Sequence, residues 1–162
     1  MRRAHVDDAD FIVELLNDPD WIEFIGDKNV RSRGDASRYI ESALQAMVAR
    51  HGLGLDVVER KPDRMPIGLC GLIKRDALED VDLGFAFLPA WRAMGYAREA
   101  SLAVLAHGAR AFVLPQVAAI TSMHNLRSIR LLESIGFVFQ HTRALFPGAA
   151  DVNFYLRQMD AR

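Results

Sequence analysis

Apolar positions along this chain fall into two rhythms, a helical spacing of three to four residues and short unbroken runs, and their order predicts the elements. Residues 2–6 read as a short strand. Asp7 then caps a helix in which Phe11, Leu15 and Leu16 share a face, and Asp18-Pro19 stops it. Asp35 caps a second helix, with Tyr39, Ala43, Ala46 and Met47 along one side up to about Arg50, before Gly52 and Gly54 break it. Runs at 53–60 and 66–73 flank Lys61-Pro62-Asp63-Arg64, a turn composition, and so predict an antiparallel hairpin, which a third strand at about 81–88 extends. A helix over 97–112 repeats Leu102, Leu105, Ala106 and Ala109 and ends before Pro115. Residues 116–122 form another apolar strand. A short helix runs from about Leu126 to Ile135 with Gly136 as its C-cap, and strands near 137–141 and 152–158 follow. The order βααβββαβαββ predicts an α/β sandwich around a mixed sheet, antiparallel at first and parallel across the crossover through helix 97–112.

Composition narrows the partners. The 162 residues carry a formal charge of −1 with the basic residues scattered, so the field that draws proteins to nucleic acid or anionic membranes is not evident. A small-molecule or peptide partner is expected instead. No linker, repeat or low-complexity tract divides the chain, which predicts one domain over residues 1–162. Cys70 is the only cysteine, which excludes an internal disulfide and a cysteine metal cluster, and its place in the run Ile67 to Ile73 marks it as core. No histidine has metal-ligand spacing, so no metal site is expected. The start lacks an apolar signal segment and no run reaches the ~20 apolar residues of a membrane span, so a cytoplasmic location is expected.

Chemistry concentrates in Arg92-Ala93-Met94-Gly95-Tyr96-Ala97-Arg98-Glu99, between a strand and a helix. In such a turn successive backbone N–H groups converge, and the positive end of the helix dipole reinforces them, so a phosphate or pyrophosphate can be held largely without side chains. Gly95 lets the backbone approach closely. The spacing Arg-x-x-Gly-x-Ala is neither the dinucleotide-binding glycine fingerprint nor a Walker loop.

The run Leu88 to Ala100 resembles the acetyl-CoA-binding motif of the GNAT superfamily, (Gln/Arg)-x-x-Gly-x-(Gly/Ala). About thirty residues on, Asn125-Leu126-Arg127-Ser128-Ile129-Arg130-Leu131-Leu132-Glu133-Ser134-Ile135-Gly136-Phe137 resembles the Asn-x-x-Ser-x-x-x-Leu-Glu-x-x-Gly-Phe signature of the branch containing the ribosomal-protein N-terminal acetyltransferases. The resemblance implies the acyl-CoA N-acyltransferase fold, a mixed sheet flanked by helices, with acetyl-CoA as cosubstrate and an amine as acceptor. It also implies roles. The N–H groups of Arg92, Ala93, Met94, Gly95, Tyr96 and Ala97 would cradle the CoA pyrophosphate, the Arg92 side chain adding charge. A backbone N–H at Phe87 or Leu88 would polarise the thioester carbonyl. Asn125 would cap its helix and bond the CoA arm, and Ser128 would give or relay a proton to the leaving thiolate. Asp82 falls where members often place a catalytic or substrate-binding carboxylate. Its neighbours Glu79 and Asp80 form an acidic cluster whose mutual repulsion could raise one carboxyl toward a base's working range.

Two departures from the pattern carry consequences. Members usually begin with a longer first strand ahead of the segment seen here as Asp8-Ala9-Asp10, so the first strand is expected to be incomplete. Many members place a tyrosine general acid where this chain has Leu132, so that role passes to another group or to water. Direct transfer of acetyl to an amine in a ternary complex is the leading expectation, with a protein or peptide N-terminus, a small amine or an aminoglycoside as acceptor. The 18–35 loop and the two N-terminal helices would grip it through Trp21, Phe24 and Ile25. The alternative is a noncatalytic acyl-CoA-binding sensor or regulatory module, which Leu132 favours. Oligomeric state stays open, a homodimer included.

Overall fold

The computed structural model describes residues 1–159. Six strands form one sheet in the order β1-β2-β3-β4-β6-β5. They are β1 Leu55–Glu59, β2 Pro66–Ile73, β3 Asp82–Phe87, β4 Gln116–Ser122, β5 Val138–Ala144 and β6 Asp151–Gln158. Neighbours run antiparallel except β3 and β4, which are parallel and joined by the long helix α5, Tyr96–Phe112. A parallel pair needs such a crossover.

Helices cover both faces, and the sheet alternates its side chains between two cores. Val57 and Leu69 point toward α1 (Ala9–Leu16) and α3 (Arg33–Tyr39), where Ile12, Leu15, Leu16, Ala36 and Ile40 are buried. Val58, Cys70 and Leu72 point the other way, onto Val104 and Leu105 of α5 and Leu132 of α6 (Leu126–Ser134). Close approach of α5 to β2 depends on Gly108, where a Cβ would stand 2.6 Å from the Leu72 Cδ1.

The N-terminal half departs from expectation. Residues 2–6 form no strand: Arg2 alone pairs with Val57, its N–H donating at 3.0 Å and its carbonyl accepting at 2.8 Å, and Val6–Asp8 coil into a 3-10 turn. The stretch read as an 18–35 loop holds a helix, α2 (Pro19–Phe24). Asp18-Pro19 both stops α1 and starts α2, because the Asp18 carboxylate accepts the Trp21 N–H at 3.3 Å and proline fits the first helical position. The next helix begins at Ser32, and Asp35 is the third residue of its capping box. Helical structure then continues through a π-helical stretch, Ile40–Gln45, into α4, Ala46–His51, and ends on Gly52.

Candidate active site

The site is a consequence of two strands that pair and then part. β3 and β4 share a single register pair, Asp82 with Ala118, beside which the Ala118 N–H donates to the Val81 carbonyl at 2.9 Å. Beyond it the edge of β3 is free. Alternation along the strand fixes which peptide groups face the gap. The Leu88 N–H donates to Ile67 of β2 at 3.0 Å, so its neighbours in the same phase point to β2, whereas the peptide groups of Phe85 and Phe87 turn to the open side. Of the two expected carbonyl-polarising donors, Leu88 is therefore excluded, its N–H being committed to the ladder. Phe87 keeps its N–H free, and Phe85, which the sequence reading did not name, joins it.

Two cavities open from this gap. The first, about 340 Å³, is lined by Phe85, Phe87, Arg92, Ala93, Gly95, Ala97 and Arg98, by Asn125, Arg127, Ser128 and Arg130, and by Asp18, Asp20 and Trp21. At its mouth α5 begins without a side-chain cap. The N–H groups of Gly95, Tyr96, Ala97 and Arg98 have no acceptor among the described residues, which leaves four donors at the positive end of a 17-residue helix. Gly95 has φ +88°, a conformation that disfavours any side chain, and nothing lies within 4 Å of where its Cβ would be. An anion can thus come close to the backbone. Arg98 and Arg130 line the same cavity and have no acidic partner among the described residues. An elongated molecule with an anionic end fits these groups.

Not every loop residue contributes in the expected way. Each nitrogen of the Arg92 guanidinium is engaged: Nε donates to the Phe87 carbonyl at 2.9 Å, one terminal nitrogen to Asp20 at 2.7 Å and the other to Asp18. Its charge is balanced by two carboxylates, so Arg92 clamps α2 and the loop onto β3 instead of presenting free charge to a phosphate. Asp20 also pairs with Arg127. The Met94 side chain is exposed and the Tyr96 ring packs edge-on against Trp91, with centroids 6.2 Å apart. Neither side chain lines the cavity, and what these two residues offer is backbone N–H.

From α6 come the groups nearest the gap. The Asn125 side-chain oxygen accepts the Ser128 N–H at 3.1 Å, the N-cap bond of the helix. Capping occupies that oxygen and leaves the Asn125 amide nitrogen and the Ser128 hydroxyl without partners among the described residues. Leu132, one turn further, is 1% exposed and packs in the core with Tyr155, away from both cavities.

The second cavity, about 260 Å³, opens beside the first. It shares Trp21, Phe24, Ile25, Phe85, Ala86, Asn125 and Ser128 with the first, so the two meet at those residues. Asp82 lines it and is 1% exposed, with both carboxylate oxygens accepting from the Arg75 Nε, at 3.1 and 3.0 Å. Burial pushes the Asp82 carboxyl above the usual carboxylate range, against the opposing pull of Arg75. Repulsion from Glu79 and Asp80 does not raise it: Asp80 accepts a hydrogen bond from Gln116 at 2.9 Å, and burial is what raises Asp82.

Cys70 is buried, its sulfur 3.8 Å from the Ser101 hydroxyl, and burial pushes its thiol up to about 12. It lines neither cavity.

Residues 1–138 match the family model described as an acetyltransferase (GNAT) domain. The chain belongs to the GNAT acetyltransferase family. It is an N-acetyltransferase by that membership, with acetyl-CoA as cosubstrate. Solved structures agree in fold. The acetyltransferase (GNAT family) from Bacillus anthracis superposes with a TM-score of 0.80 at 20% identity, over 97% of this chain and 92% of that one. Spermidine N-acetyltransferase from Vibrio cholerae, in complex with CoA and spermine, gives 0.77 at 18%, over 97% and 93%. AAC(6')-Ib in complex with ribostamycin and coenzyme A gives 0.77 at 18%, over 97% and 91%. Among the described residues no helix is long and apolar enough to cross a membrane.

Proposed function

We propose that the protein, as one domain over residues 1–162, passes acetyl directly from acetyl-CoA to a primary amine while both are bound. One observation carries this reading: a cavity with a backbone anion cradle and a second cavity with a buried carboxylate meet at Phe85, Ala86, Asn125 and Ser128. Donor and acceptor, each in its own cavity, can touch there, the arrangement that direct transfer needs. No cysteine lines either cavity, which argues against a covalent acetyl-enzyme.

Acetyl-CoA supplies the activated acetyl group as a thioester. The free N–H groups from Gly95 to Arg98 hold its pyrophosphate, with Ala93 and Met94 of the same turn beside them and Arg92 fixing the turn. The N–H groups of Phe85 and Phe87 bind along its arm, and the one nearer the junction polarises the thioester carbonyl. The acceptor nitrogen attacks the carbonyl carbon, the carbon–sulfur bond breaks, and the Ser128 hydroxyl gives the leaving sulfur a proton while regaining one from the attacking nitrogen as the amide forms. The free amide nitrogen of Asn125 donates to the CoA arm. Asp82 stands three residues before Phe85, about 10 Å along an extended strand. It therefore takes the ammonium proton through cavity water, and its raised pKa suits that work.

The Asn125 to Phe137 signature supports the branch of ribosomal-protein N-terminal acetyltransferases, and so a peptide N-terminus or a similarly placed small amine as acceptor. An α-amino group, with pKa ~7.7–8.0, loses its proton near neutrality far more readily than a lysine-like amine at ~10.4, and a water-relayed base suffices for it. Spermine and ribostamycin in the two complexes above illustrate amine ligands of relatives. A cytoplasmic location, with no nucleic-acid or membrane partner, fits the balanced charge.

The test is a mass-spectrometric acetylation screen. Acetyl-CoA and a panel of N-terminal peptides, amino acids, polyamines and aminoglycosides are offered to the purified protein, with CoA release followed in parallel. Acetylation of one acceptor class above background supports the proposal. Tight acetyl-CoA binding with no acceptor modified favours the noncatalytic module.

A further inference from the structure

Acetyl transfer leaves two charged groups of the second cavity, Arg75 and Lys28, unused, and both are cations. Arg75 gives only its Nε to Asp82, and its two terminal nitrogens have no partner among the described residues. Lys28 lines the cavity with no acidic partner among the described residues. Trp21, 4% exposed and shared by both cavities, buries an indole N–H that has no acceptor among the described residues. Among the lining residues Asp82 is the one carboxylate, and Arg75 neutralises it. Two cations against one anion leave the cavity with a formal excess of one positive charge. The remaining wall is largely apolar, with Phe24, Ile25, Met47, Leu55 and Ile73.

We propose, resting on the reading of this cavity as the acceptor side, that the acceptor is a small apolar amine carrying a carboxylate several bonds from its amino group, seated on the free edge of Arg75. A guanidinium presents its terminal N–H groups as a fork that matches a carboxylate with two parallel hydrogen bonds. Asp82, buried and bonded through both oxygens, fixes the orientation of that fork from behind and acts on the acceptor as a positioning residue as well as through water. Lys28 adds attraction at the rim. Separation sets the length of the acceptor. The amine must reach the junction at Phe85 and Ser128, while Asp82, which holds the Arg75 Nε, stands three residues back along β3, so an ω-amino acid or a short peptide suits the site better than an α-amino acid. At about 260 Å³ the cavity sits near the lower end of small-ligand pockets, which run from ~300 Å³ upward. A polycation would meet Lys28 and Arg75 with no unpaired acid to receive it.

Calorimetry on the CoA-saturated protein tests this with four probes: 6-aminohexanoate, its carboxamide 6-aminohexanamide, leucine and spermidine. Because the readout is binding, it is independent of turnover. The acid is expected to bind about tenfold or more tightly than the amide, from the charge-assisted fork, with leucine and spermidine weaker than the acid. Arg75→Lys should reduce the preference. The double variant Arg75→Met, Asp82→Asn, which leaves no lone buried carboxylate, should abolish it. Equal binding of acid and amide by the unmodified protein overturns the proposal, as does preferred binding of spermidine, no binding of any probe, or a preference that survives in the double variant. A preference for the acid without any acetylation leaves the anchor standing and refutes the transfer reading.

Discussion

The Arg92 Nε donates to the carbonyl of Phe87 at 2.9 Å, joining the residue that opens the anion loop to the last residue of the strand whose edge faces the gap. The same guanidinium reaches Asp18 and Asp20, at the start of α2, so one side chain sets the spacing of strand, loop and helix around the first cavity.

Replacing Arg92 by Ala should therefore act on stability as well as on binding. It removes three charge-assisted hydrogen bonds and leaves Asp18, 7% exposed, without its cation. A loss of about 2–4 kcal/mol is expected in denaturant unfolding, with acetyl-CoA affinity falling about tenfold. Arg92→Ala that bound acetyl-CoA normally would remove the clamp from the account of the loop.

Gly95 separates backbone geometry from packing. Its Cβ position is empty, so Gly95→Ala meets no clash and costs only the left-handed conformation, roughly 1–2 kcal/mol. A side chain at φ +88° nevertheless strains the turn that presents the free N–H groups. Acetyl-CoA affinity should fall about tenfold or more while the melting temperature moves by a few degrees, a split that differential scanning fluorimetry with and without acetyl-CoA resolves.

Ser128 and Asn125 divide along atoms. The Ser128 N–H makes the cap bond and its hydroxyl makes none, so Ser128→Ala should leave stability and acetyl-CoA affinity nearly intact while kcat falls about 100-fold. Asn125→Ala loses the cap itself, at about 1 kcal/mol, and weakens CoA binding too. Steady-state kinetics beside unfolding curves for the two variants check the division.

Legibility in the sequence follows how local each cause is. β2 and β4 lie where apolar runs predicted them, at 66–73 and 116–122, because strands buried on both faces need unbroken apolar stretches. α2 was hidden because Asp18-Pro19 is at once a stop and a start, and local chemistry does not choose between them. The Leu88 N–H could not be judged before the register of β2 on β3 was known. The carboxylate partners of Arg92 lie more than seventy residues away, and no spacing rule connects them. By contrast the glycine turn that opens α5 and the Asn125 cap are short-range devices, and both were readable.

Asp82→Asn tests the proton route. A base works only when ionised, so activity limited by Asp82 falls as pH drops through its pKa, which burial places above the ordinary carboxylate value of ~3.9. The variant should lose about 10–100-fold in kcat and lose that acidic limb, with acetyl-CoA affinity unchanged. Arg75→Lys should instead raise KM for a carboxylate-bearing acceptor and keep the limb. A pH profile of kcat for both variants distinguishes a proton acceptor from a group that only orients Arg75.

The N-terminus offers a test of stability against pH. Arg2 binds Asp8 through both terminal nitrogens at 2.7 Å and Glu59 through Nε at 2.6 Å, which ties the Arg2–Val57 bridge to the start of α1. Burial pushes the Asp8 carboxyl up, but the hydrogen bonds from Arg2 and from the His5 backbone N–H outweigh it and hold the group below the usual range. A carboxyl lowered in the folded state stabilises fully above its unfolded pKa, ~3.9, and that contribution disappears as pH falls through the lower folded value. Asp8→Asn should therefore be less stable than the unmodified protein at neutral pH, and the difference should shrink as pH falls below about 4. Urea unfolding at pH 7 and at successive acidic pH values measures that convergence; a gap that stayed constant with pH would assign the loss to packing and not to the ion pair.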